Sequence, residues 1–283
     1  MIRLAAFADE ADSRVEGQIE ALKRNGIEYI ELRGLDGKNI SAISEEEAVK
    51  YAKMYADAGI KVWSLGSPIG KVDIASDLEA HKTLLRRVCR YAKIFGTDKV
   101  RMFSFYKAYE SRDAVLSQLS KMVKIADEYG IKLYHENEKE IYGDVLSRVL
   151  DIRDNVKGLY HIYDPANYIE CGQDADATLG ALHATTDYFH IKDVIAATGE
   201  LVPAGFGDGR IDKLVDMIGN DDKTLTLEPH LRVFAGYSDI DNTEMKNKFT
   251  FKSNGEAFDA AVNALRAVIE AQGYKRVNGG YVK

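Results

Sequence analysis

The sequence predicts a closed barrel of eight alternating strands and helices, a (βα)8 barrel, and three observations lead to that fold class. A glycine followed by a short apolar run recurs along the chain. The segments between these runs carry apolar residues at helical spacing. Eight apolar runs, five of them led by such a glycine, are predicted to be strands. Strands that alternate with helices form a parallel sheet, and eight such units can close into a barrel.

The recurring motif begins with Gly-Ile and marks the start of a predicted strand. It occupies residues 26–32, 59–65 and 130–136, and looser copies begin at Gly96 and Gly158. The glycines lie roughly 28 to 37 residues apart, which suits one helix, one strand and two loops. We expect each of these glycines to end the preceding helix at its C′ position.

The predicted strands follow one another in chain order, each with a helix after it. They lie near residues 2–7, 27–32, 60–65, 98–104, 131–136, 158–163, 187–192 and 223–228. Ser44 and Glu47 have the spacing of a capping box at the start of one helix. An open, doubly wound sheet is the alternative fold. No Gly-x-Gly-x-x-Gly motif follows the first strand, which disfavours a dinucleotide-binding version of that sheet.

The domain organisation follows from the length of the chain. Residues 1–283 are expected to form one barrel domain, since such barrels routinely reach about 250 residues. Residues 229–252 form a long connection that includes Tyr237, Asp239 and Asp241, and the final helix begins near Ser253. Loops of that length are usually functional or disordered. We therefore expect a lid or a subunit contact there, and a homo-oligomer is compatible with it.

Composition disfavours several partners. The net charge is -7, and the 45 acidic and 38 basic residues are mixed along the chain without a basic block, so no nucleic-acid partner is expected. No apolar stretch approaches the 18 residues of a membrane span, and the first residues turn acidic too early for a secretory signal. The expected location is cytoplasmic, with no membrane partner. Cys89 and Cys171 are expected to be ordinary thiols.

Four ionisable residues interrupt or close apolar runs at the ends of four predicted strands: Glu136, Asp164, His190 and Glu228. In a barrel these strand ends surround one mouth, where substrates bind. Three carboxylates converging there would repel one another unless a cation lay among them. The sequence therefore predicts one divalent metal ion. Three oxygen ligands and one imidazole suit Mn²⁺, which we favour, as well as Mg²⁺, Co²⁺ and Zn²⁺. Each residue taken singly could instead be a helix cap or a surface salt bridge.

Four further residues are candidates for substrate binding. Lys192 could hold a substrate oxygen or simply pair with Asp193, and the charge of Arg101 could bind a phosphate or a carboxylate. Asn167 lies close to Asp164 in the chain, and His230 lies two residues past Glu228. The glycine-rich segment 205–209 could contact a phosphate, although a flexible loop is the favoured interpretation.

Five short motifs resemble, in order and spacing, the xylose isomerase-like TIM barrel superfamily. They are His135-Glu136-Asn137, Tyr163-Asp164-Pro165-Ala166-Asn167, Phe189-His190-Ile191-Lys192-Asp193, Val202-Pro203-Ala204-Gly205-Phe206-Gly207 and Leu227-Glu228-Pro229. The superfamily includes sugar (phosphate) isomerases and epimerases, inosose dehydratase-like enzymes and apurinic (AP) endonuclease 2-like proteins. The resemblance implies that the metal ligands of the family fall on Glu136, Asp164, His190 and Glu228.

The sequence lacks residues that are typical of two subgroups of this superfamily. Endonuclease-like members carry additional histidines, one of them three residues after the aspartate, where this chain has Asn167. Ketose epimerases typically carry a substrate-binding arginine six residues after the histidine, where this chain has Ala196. The remaining pattern is similar to the broader group of isomerases and dehydratases.

The resemblance and the residues together predict a metal-dependent isomerase or epimerase for a small sugar or sugar phosphate. The metal would polarise a carbonyl and stabilise an enediolate, and Glu136 and Glu228 would withdraw and return the proton. The alternative is a lyase or dehydratase on a keto-sugar or keto-cyclitol, which shares the enediolate. An endonuclease or a non-catalytic sugar-binding protein is a further alternative.

Overall fold

The computed structural model describes residues 1–237 and 244–283 and contains a closed barrel of eight parallel strands. Each strand pairs with the next, and the last pairs with the first from Ile2–Lys223 to Ala6–Leu227. The predicted (βα)8 barrel is thereby confirmed. The strands are β1 Ile2–Ala6, β2 Tyr29–Leu32, β3 Lys61–Leu65, β4 Lys99–Met102, β5 Lys132–Glu136, β6 Tyr160–Tyr163, β7 Tyr188–Ile191 and β8 Lys223–Leu227.

Helices connect the strands and cover the outside of the barrel. Their bounds are α1 Val15–Arg24, α2 Glu45–Asp57, α3 Leu78–Ile94, α4 Arg112–Asp127, α5 Leu146–Asn155, α6 Pro165–Glu170, α7 Ala175–Leu182, α8 Ile211–Ile218 and α9 Asn254–Ala271. Apolar residues of the strands, such as Leu32, Val100 and Leu225, join the helices in one buried core. Because side chains alternate along a strand, the neighbouring positions point into the barrel.

The helix ends confirm the local predictions. All five predicted C′ glycines have φ between +57° and +81°, a conformation that costs an L residue energy but not glycine. The capping box is present at α2: the Ser44 hydroxyl accepts from the Glu47 N–H at 3.1 Å, and the Ser44 N–H donates to Glu47 at 2.7 Å. Helix α9 begins directly after its N-cap, Ser253.

Three short hairpins were not predicted. Two lie on the mouth side, Gly34–Leu35 with Lys38–Asn39 and Asp193–Ile195 with Glu200–Val202. The third, Lys275–Val277 with Gly280–Val282, pairs with β1 through Tyr281 and Ile2. Strands of two or three residues are too short to show an alternating pattern. The strands predicted to begin at residues 27 and 158 begin two residues later in the structure. The chain needs these two residues to pass from the glycine that ends the helix to the edge of the sheet.

The long connection predicted at 229–252 is only partly described. Asp239 and Asp241, which belong to the predicted lid, lie outside the described residues. The last part of the connection contacts the mouth: Leu201 N–H donates to the Lys246 carbonyl at 2.7 Å, and the Asn247 side chain donates to the His230 carbonyl at 3.0 Å. A lid and a subunit contact remain predictions. Of the helices in the described ranges, none combines the length and the apolar character needed to cross a bilayer.

The capping box gives a prediction for stability. Ser44→Ala should lower the free energy of unfolding by about 1 kcal/mol, because the Glu47 N–H loses its acceptor. Ser111→Ala is the matched control, since Ser111 is the N-cap of α4 but its side chain makes no capping hydrogen bond. Urea unfolding of both variants measures the difference. Equal losses would contradict the assigned role of Ser44.

Candidate active site

The four predicted ligands meet at the mouth of the barrel. Glu136 ends β5, His190 lies in β7, and Asp164 and Glu228 directly follow β6 and β8. Each offers one ligand atom, and these atoms all lie within 4.8 Å of one another. The Nδ1 atom of His190 is 2.8 Å from Glu136 Oε1 and 3.0 Å from Glu228 Oε2. All four side chains are buried, so the cluster is shielded from bulk water.

Asp164 is held in place by its own helix. It is the N-cap of α6, and its Oδ1 atom accepts from the Asn167 N–H at 3.1 Å, with Pro165 in the first turn. The Asn137 side chain bonds to both the N–H and the carbonyl of Asp164, each at 2.9 Å. This arrangement uses Oδ1 for the cap and leaves Oδ2 facing the other ligands.

The donor set fits a divalent cation. Glu136 Oε2, Asp164 Oδ2 and Glu228 Oε2 are buried, and within the described residues none of them accepts a well-aligned hydrogen bond. Each is instead in ion-pair contact with a basic nitrogen, of Arg101 at 3.1 Å, Lys192 at 3.3 Å and His190 at 3.0 Å respectively. Buried carboxylate oxygens need hydrogen bonds or opposite charge to be stable. A cation bound by three carboxylates and one imidazole would satisfy all three oxygens, and hard to borderline divalent ions accept such a set. The cluster could therefore hold a metal ion.

The pKa values reflect the crowding. Burial raises the pKa of Asp164 to about 7. Burial also acts to raise the pKa of Glu228, but His190 and Arg33 hold it well below its ordinary value. For His190, burial opposes the charged form, yet Glu136 and its neighbours raise its pKa well above the usual range. The charged forms of Glu228 and His190 thus depend on the opposite charge beside them.

Arg33 is a site residue that the sequence analysis missed. Its guanidinium is 2% exposed and forms ion pairs with Asp9 at 2.9 Å, Glu10 at 3.2 Å and Glu228 at 2.7 Å. The signal was present, because Arg33 directly follows the apolar strand β2, in the same position that singled out Asp164 and Glu228. Glu31, also missed, lies inside that strand and contacts His190.

The other cationic candidates are already paired. Arg101 lies inside the barrel, 3.1 Å from Glu136 and 3.9 Å from Glu228, and it also donates to the Gly66 carbonyl. Lys192 donates to Asn167 Oδ1 at 2.6 Å and lies 3.3 Å from Asp164. The alternative prediction that Lys192 pairs with Asp193 is therefore wrong. The two residues are adjacent in the chain, and their side chains point in different directions.

His230 and Asn167 are buried at the edge of the cluster. The backbone N–H of His230 donates to the Glu10 carboxylate at 2.8 Å. The imidazole Nε2 of His230 lies 3.5 Å from both Glu10 and Glu228. Burial lowers the pKa of His230 to about 4, so the ring is neutral. The Asn167 side chain bonds to Lys192 and to the Asn137 carbonyl. Asn167 is therefore placed to orient Lys192.

Side-chain cations supply part of the compensation that the sequence analysis assigned to a metal alone. Six buried carboxylates surround the mouth, and three buried cations face them. The carboxylates are Asp9, Glu10, Glu31, Glu136, Asp164 and Glu228, and the cations are Arg33, Arg101 and Lys192. The raised pKa values of His190, of Asp164 at about 7 and of Glu10 at about 8 show that bound protons supply the rest of the compensation in the metal-free protein. A cation at the cluster could take the place of these protons.

The glycine-rich segment 205–209 is anchored rather than flexible. The buried Asp193 carboxylate accepts from the N–H groups of Gly205, Gly207 and Gly209 at 2.8 to 3.1 Å. A Cβ on Gly207 would approach Asp193 Oδ1 to 2.4 Å, so this turn requires glycine there. Since Asp193 occupies these donors, they are not available to a phosphate.

The buried ion pairs of Arg33 give a stability prediction. Arg33→Met should lower the free energy of unfolding by about 3 kcal/mol, because it leaves Asp9, Glu10 and Glu228 buried without their partner. Arg14→Met is the matched control, since the Arg14 pair with Asp12 is on the surface, where ion pairs contribute little. Denaturant unfolding of both variants measures the contrast, and similar losses would contradict this account of Arg33.

Comparison with known proteins agrees with the fold. Residues 19–233 match the family model described as xylose isomerase-like TIM barrel, and no curated protein matches the sequence. The structure of L-ribulose 3-epimerase is 18% identical with a TM-score of 0.71, and the match covers 96% of each chain. The probable 3-DHS dehydratase AsbF of Bacillus anthracis is 15% identical, with a TM-score of 0.71 over 94% of this chain and 99% of that one.

A further solved structure, the IOLI protein with a binding zinc atom, is 16% identical with a TM-score of 0.72 over 95% of this chain and 99% of that one. At such identities these three similarities show the fold. The family model covers more than half of the chain, and the motifs that resemble the family lie on the strand ends described above. The chain belongs to the xylose isomerase-like TIM barrel family.

Proposed function

We propose that this chain is a metal-dependent isomerase or epimerase that moves a proton on a small sugar. The proposal rests on one observation, the buried cluster of Glu136, Asp164, His190 and Glu228, whose ligand atoms all lie within 4.8 Å of one another. A bound divalent cation supplies Lewis-acid polarisation of a substrate carbonyl, which acidifies the adjacent C–H. Mn²⁺ remains the favoured ion, with Mg²⁺, Co²⁺ and Zn²⁺ as alternatives.

Glu136 and Glu228 are the proposed proton-transfer pair. One withdraws the proton from the carbon next to the carbonyl, and the other returns a proton to the enediolate. Arg33 and His190 keep Glu228 ionised, so Glu228 is in the form that accepts a proton. Return to the neighbouring carbon gives isomerisation, and return to the opposite face of the same carbon gives epimerisation.

Lys192 and His230 are the proposed substrate contacts. Both line a pocket of about 420 Å³ beside the cluster, between the hairpin at 193–202 and residues 244–246. The Lys192 ammonium, oriented by Asn167, could donate to the enediolate oxygen or a neighbouring hydroxyl. Neutral His230 could donate or accept a hydrogen bond with a second hydroxyl. Arg101, engaged with Glu136, would act mainly by orienting that carboxylate.

A dehydratase is the second candidate, because the probable dehydratase AsbF shares the fold. Expulsion of a hydroxyl from the carbon beyond the enediolate would consume the same intermediate, with a proton supplied to the departing oxygen. Loss of water lowers the product mass, whereas isomerisation and epimerisation leave it unchanged. Mass spectrometry of the product therefore separates the two reactions.

The proposed reaction predicts metal- and carboxylate-dependent hydrogen exchange. With a panel of keto-sugars and inososes in deuterated water, the metal-loaded protein should introduce deuterium next to the carbonyl of its substrate. Glu136→Gln and Glu228→Gln should each slow exchange by roughly 100-fold or more, because each removes one proton-transfer group. NMR and mass spectrometry measure the exchange.

The control for these variants is Glu79→Gln, which changes an exposed carboxylate on α3 that pairs with Lys82. It should exchange at the wild-type rate. Full activity of the wild type in excess chelator would overturn the proposal.

The charges around the pocket favour an unphosphorylated sugar. Lys71 pairs with Glu138 at 3.0 Å, Lys139 pairs with Glu170 at 3.4 Å, and Lys192 lies against Asp164. Exposed Lys246 is a further cation in the lining, and Glu244 lies in the same lining. A phosphate dianion would thus meet cations that are largely neutralised by carboxylates.

The substrate preference can be measured directly. For the sugar that the protein turns over, we expect kcat/KM to be roughly tenfold or more higher than for its phosphate ester, about 1.4 kcal/mol in transition-state binding. Inorganic phosphate should not inhibit at millimolar concentration. A preference for the phosphate that is lost in Lys246→Met would contradict this inference and assign phosphate binding to Lys246.

A further inference from the structure

Glu31 is a buried carboxylate that the proposed reaction does not use. It lies in β2, is 1% exposed, and has partners on both of its oxygens. Its Oε2 atom is 3.2 Å from Nε2 of His190, and its Oε1 atom accepts from the Tyr188 hydroxyl at 3.0 Å. A buried carboxylate is costly unless hydrogen bonds and opposite charge compensate it, and His190 and Arg101 hold the pKa of Glu31 below its ordinary value against the effect of burial.

A bulge on β3 brings Ser64 opposite Glu31. The register pairs Ile30 with Val62 and then Glu31 with Ser64, so Trp63 is the extra residue. Bulges often redirect a side chain next to an active site. The Tyr188 hydroxyl lies 3.0 Å from Glu31 and 3.4 Å from the Ser64 hydroxyl. Residues on β2, β3 and β7 thus hold the Glu31 carboxylate against His190.

The two nitrogens of His190 face different groups. Nδ1 faces Glu136 and Glu228, and Nε2 faces Glu31. A carboxylate accepts hydrogen bonds but cannot donate them, so in the metal-free protein each ring nitrogen carries the proton with which it bonds to its carboxylate. A cation that binds Nδ1 would displace the Nδ1 proton, while Nε2 keeps its proton in the bond to Glu31.

We propose that Glu31 is the positioning residue of the metal-binding histidine. It holds the His190 ring through the Nε2–H bond and thereby presents Nδ1 to a cation, and Tyr188 holds Glu31 in turn. This inference rests on the proposed metal site. Carboxylates that accept from a ligating histidine fix its tautomer and orientation, and their loss typically weakens metal affinity by roughly 10- to 100-fold.

A series of variants tests the role. Glu31→Ala removes both the acceptor and the charge, Glu31→Gln keeps an acceptor of similar shape, and Tyr188→Phe removes only the hydroxyl that holds Glu31. The dissociation constant for Mn²⁺ is measured by calorimetry on the metal-free protein. We expect it to rise by roughly 100-fold in Glu31→Ala, by roughly 10-fold in Glu31→Gln and by roughly a few fold in Tyr188→Phe. The electron paramagnetic resonance spectrum of bound Mn²⁺ should also change in both Glu31 variants, because the geometry of the ligands changes.

The matched control is Glu138→Gln. It also removes one largely buried negative charge at the mouth, with the side chain 12% exposed, but the Glu138 carboxylate pairs with Lys71. The control should bind Mn²⁺ within about threefold of the wild type with an unchanged resonance spectrum, which separates the hydrogen bond to His190 from the loss of net charge. Unfolding of each metal-free variant shows whether the fold is retained.

Failure of the role proposed for Glu31 can be distinguished from failure of the proposed metal site. If the wild type binds Mn²⁺ and both Glu31 variants bind it equally well with an unchanged spectrum, the role of Glu31 is refuted while the metal site stands. Equal losses in Glu138→Gln and Glu31→Gln would also refute it, because net charge alone would then explain the effect. If the wild type binds no divalent ion, the metal site itself fails.

Discussion

The structure depends on the compensation of several buried carboxylates that lie close together at the mouth of the barrel. Parallel strands that end together deliver Glu136, Asp164 and Glu228 to one buried place, where burial alone favours the uncharged carboxyl. Opposite charge must therefore be supplied locally. Arg33 and Lys192 supply part of it, and the converging ligand atoms of Glu136, Asp164, His190 and Glu228 define where a cation would be bound.

The compensation is arranged in two layers. Arg33 binds Glu228 on one side and Asp9 and Glu10 on the other, so it holds one ligand from outside the cluster. His190 is similarly placed between carboxylates, with Glu31 behind it. The inner carboxylates are thus oriented by residues that are themselves paired. A site built in this way is rigid before a ligand arrives, which reduces the reorganisation that binding and catalysis require.

The (βα)8 fold was predictable because its signal repeats. Glycine caps and apolar runs recur along the chain, and a barrel brings all strand ends to one mouth, so Glu136, Asp164, His190 and Glu228 could be grouped from strand positions. Their metal-binding and catalytic roles remain proposals. The short hairpins could not be predicted, since strands of two or three residues carry no periodic pattern.

Other parts of the site depend on features that residue patterns do not carry. Glu31 points inward by the ordinary alternation along β2, between Ile30 and Leu32 of the outer core, but a bulge on β3 decides that Ser64 lies opposite it, and periodicity does not reveal a bulge. Lys192 pairs across strands with Asp164 rather than with its chain neighbour Asp193, which only the packing decides. Arg33 did carry the strand-end signal, since it directly follows β2 as Asp164 and Glu228 follow their strands.

The most direct test of the account is an anomalous-scattering map of crystals grown with Mn²⁺. The account predicts one strong peak within about 2.0 to 2.6 Å of Glu136, Asp164, His190 Nδ1 and Glu228. A map without a peak at this cluster, or with its only peak beside Glu10 and His230, would contradict the claim that these four side chains surround a single cation.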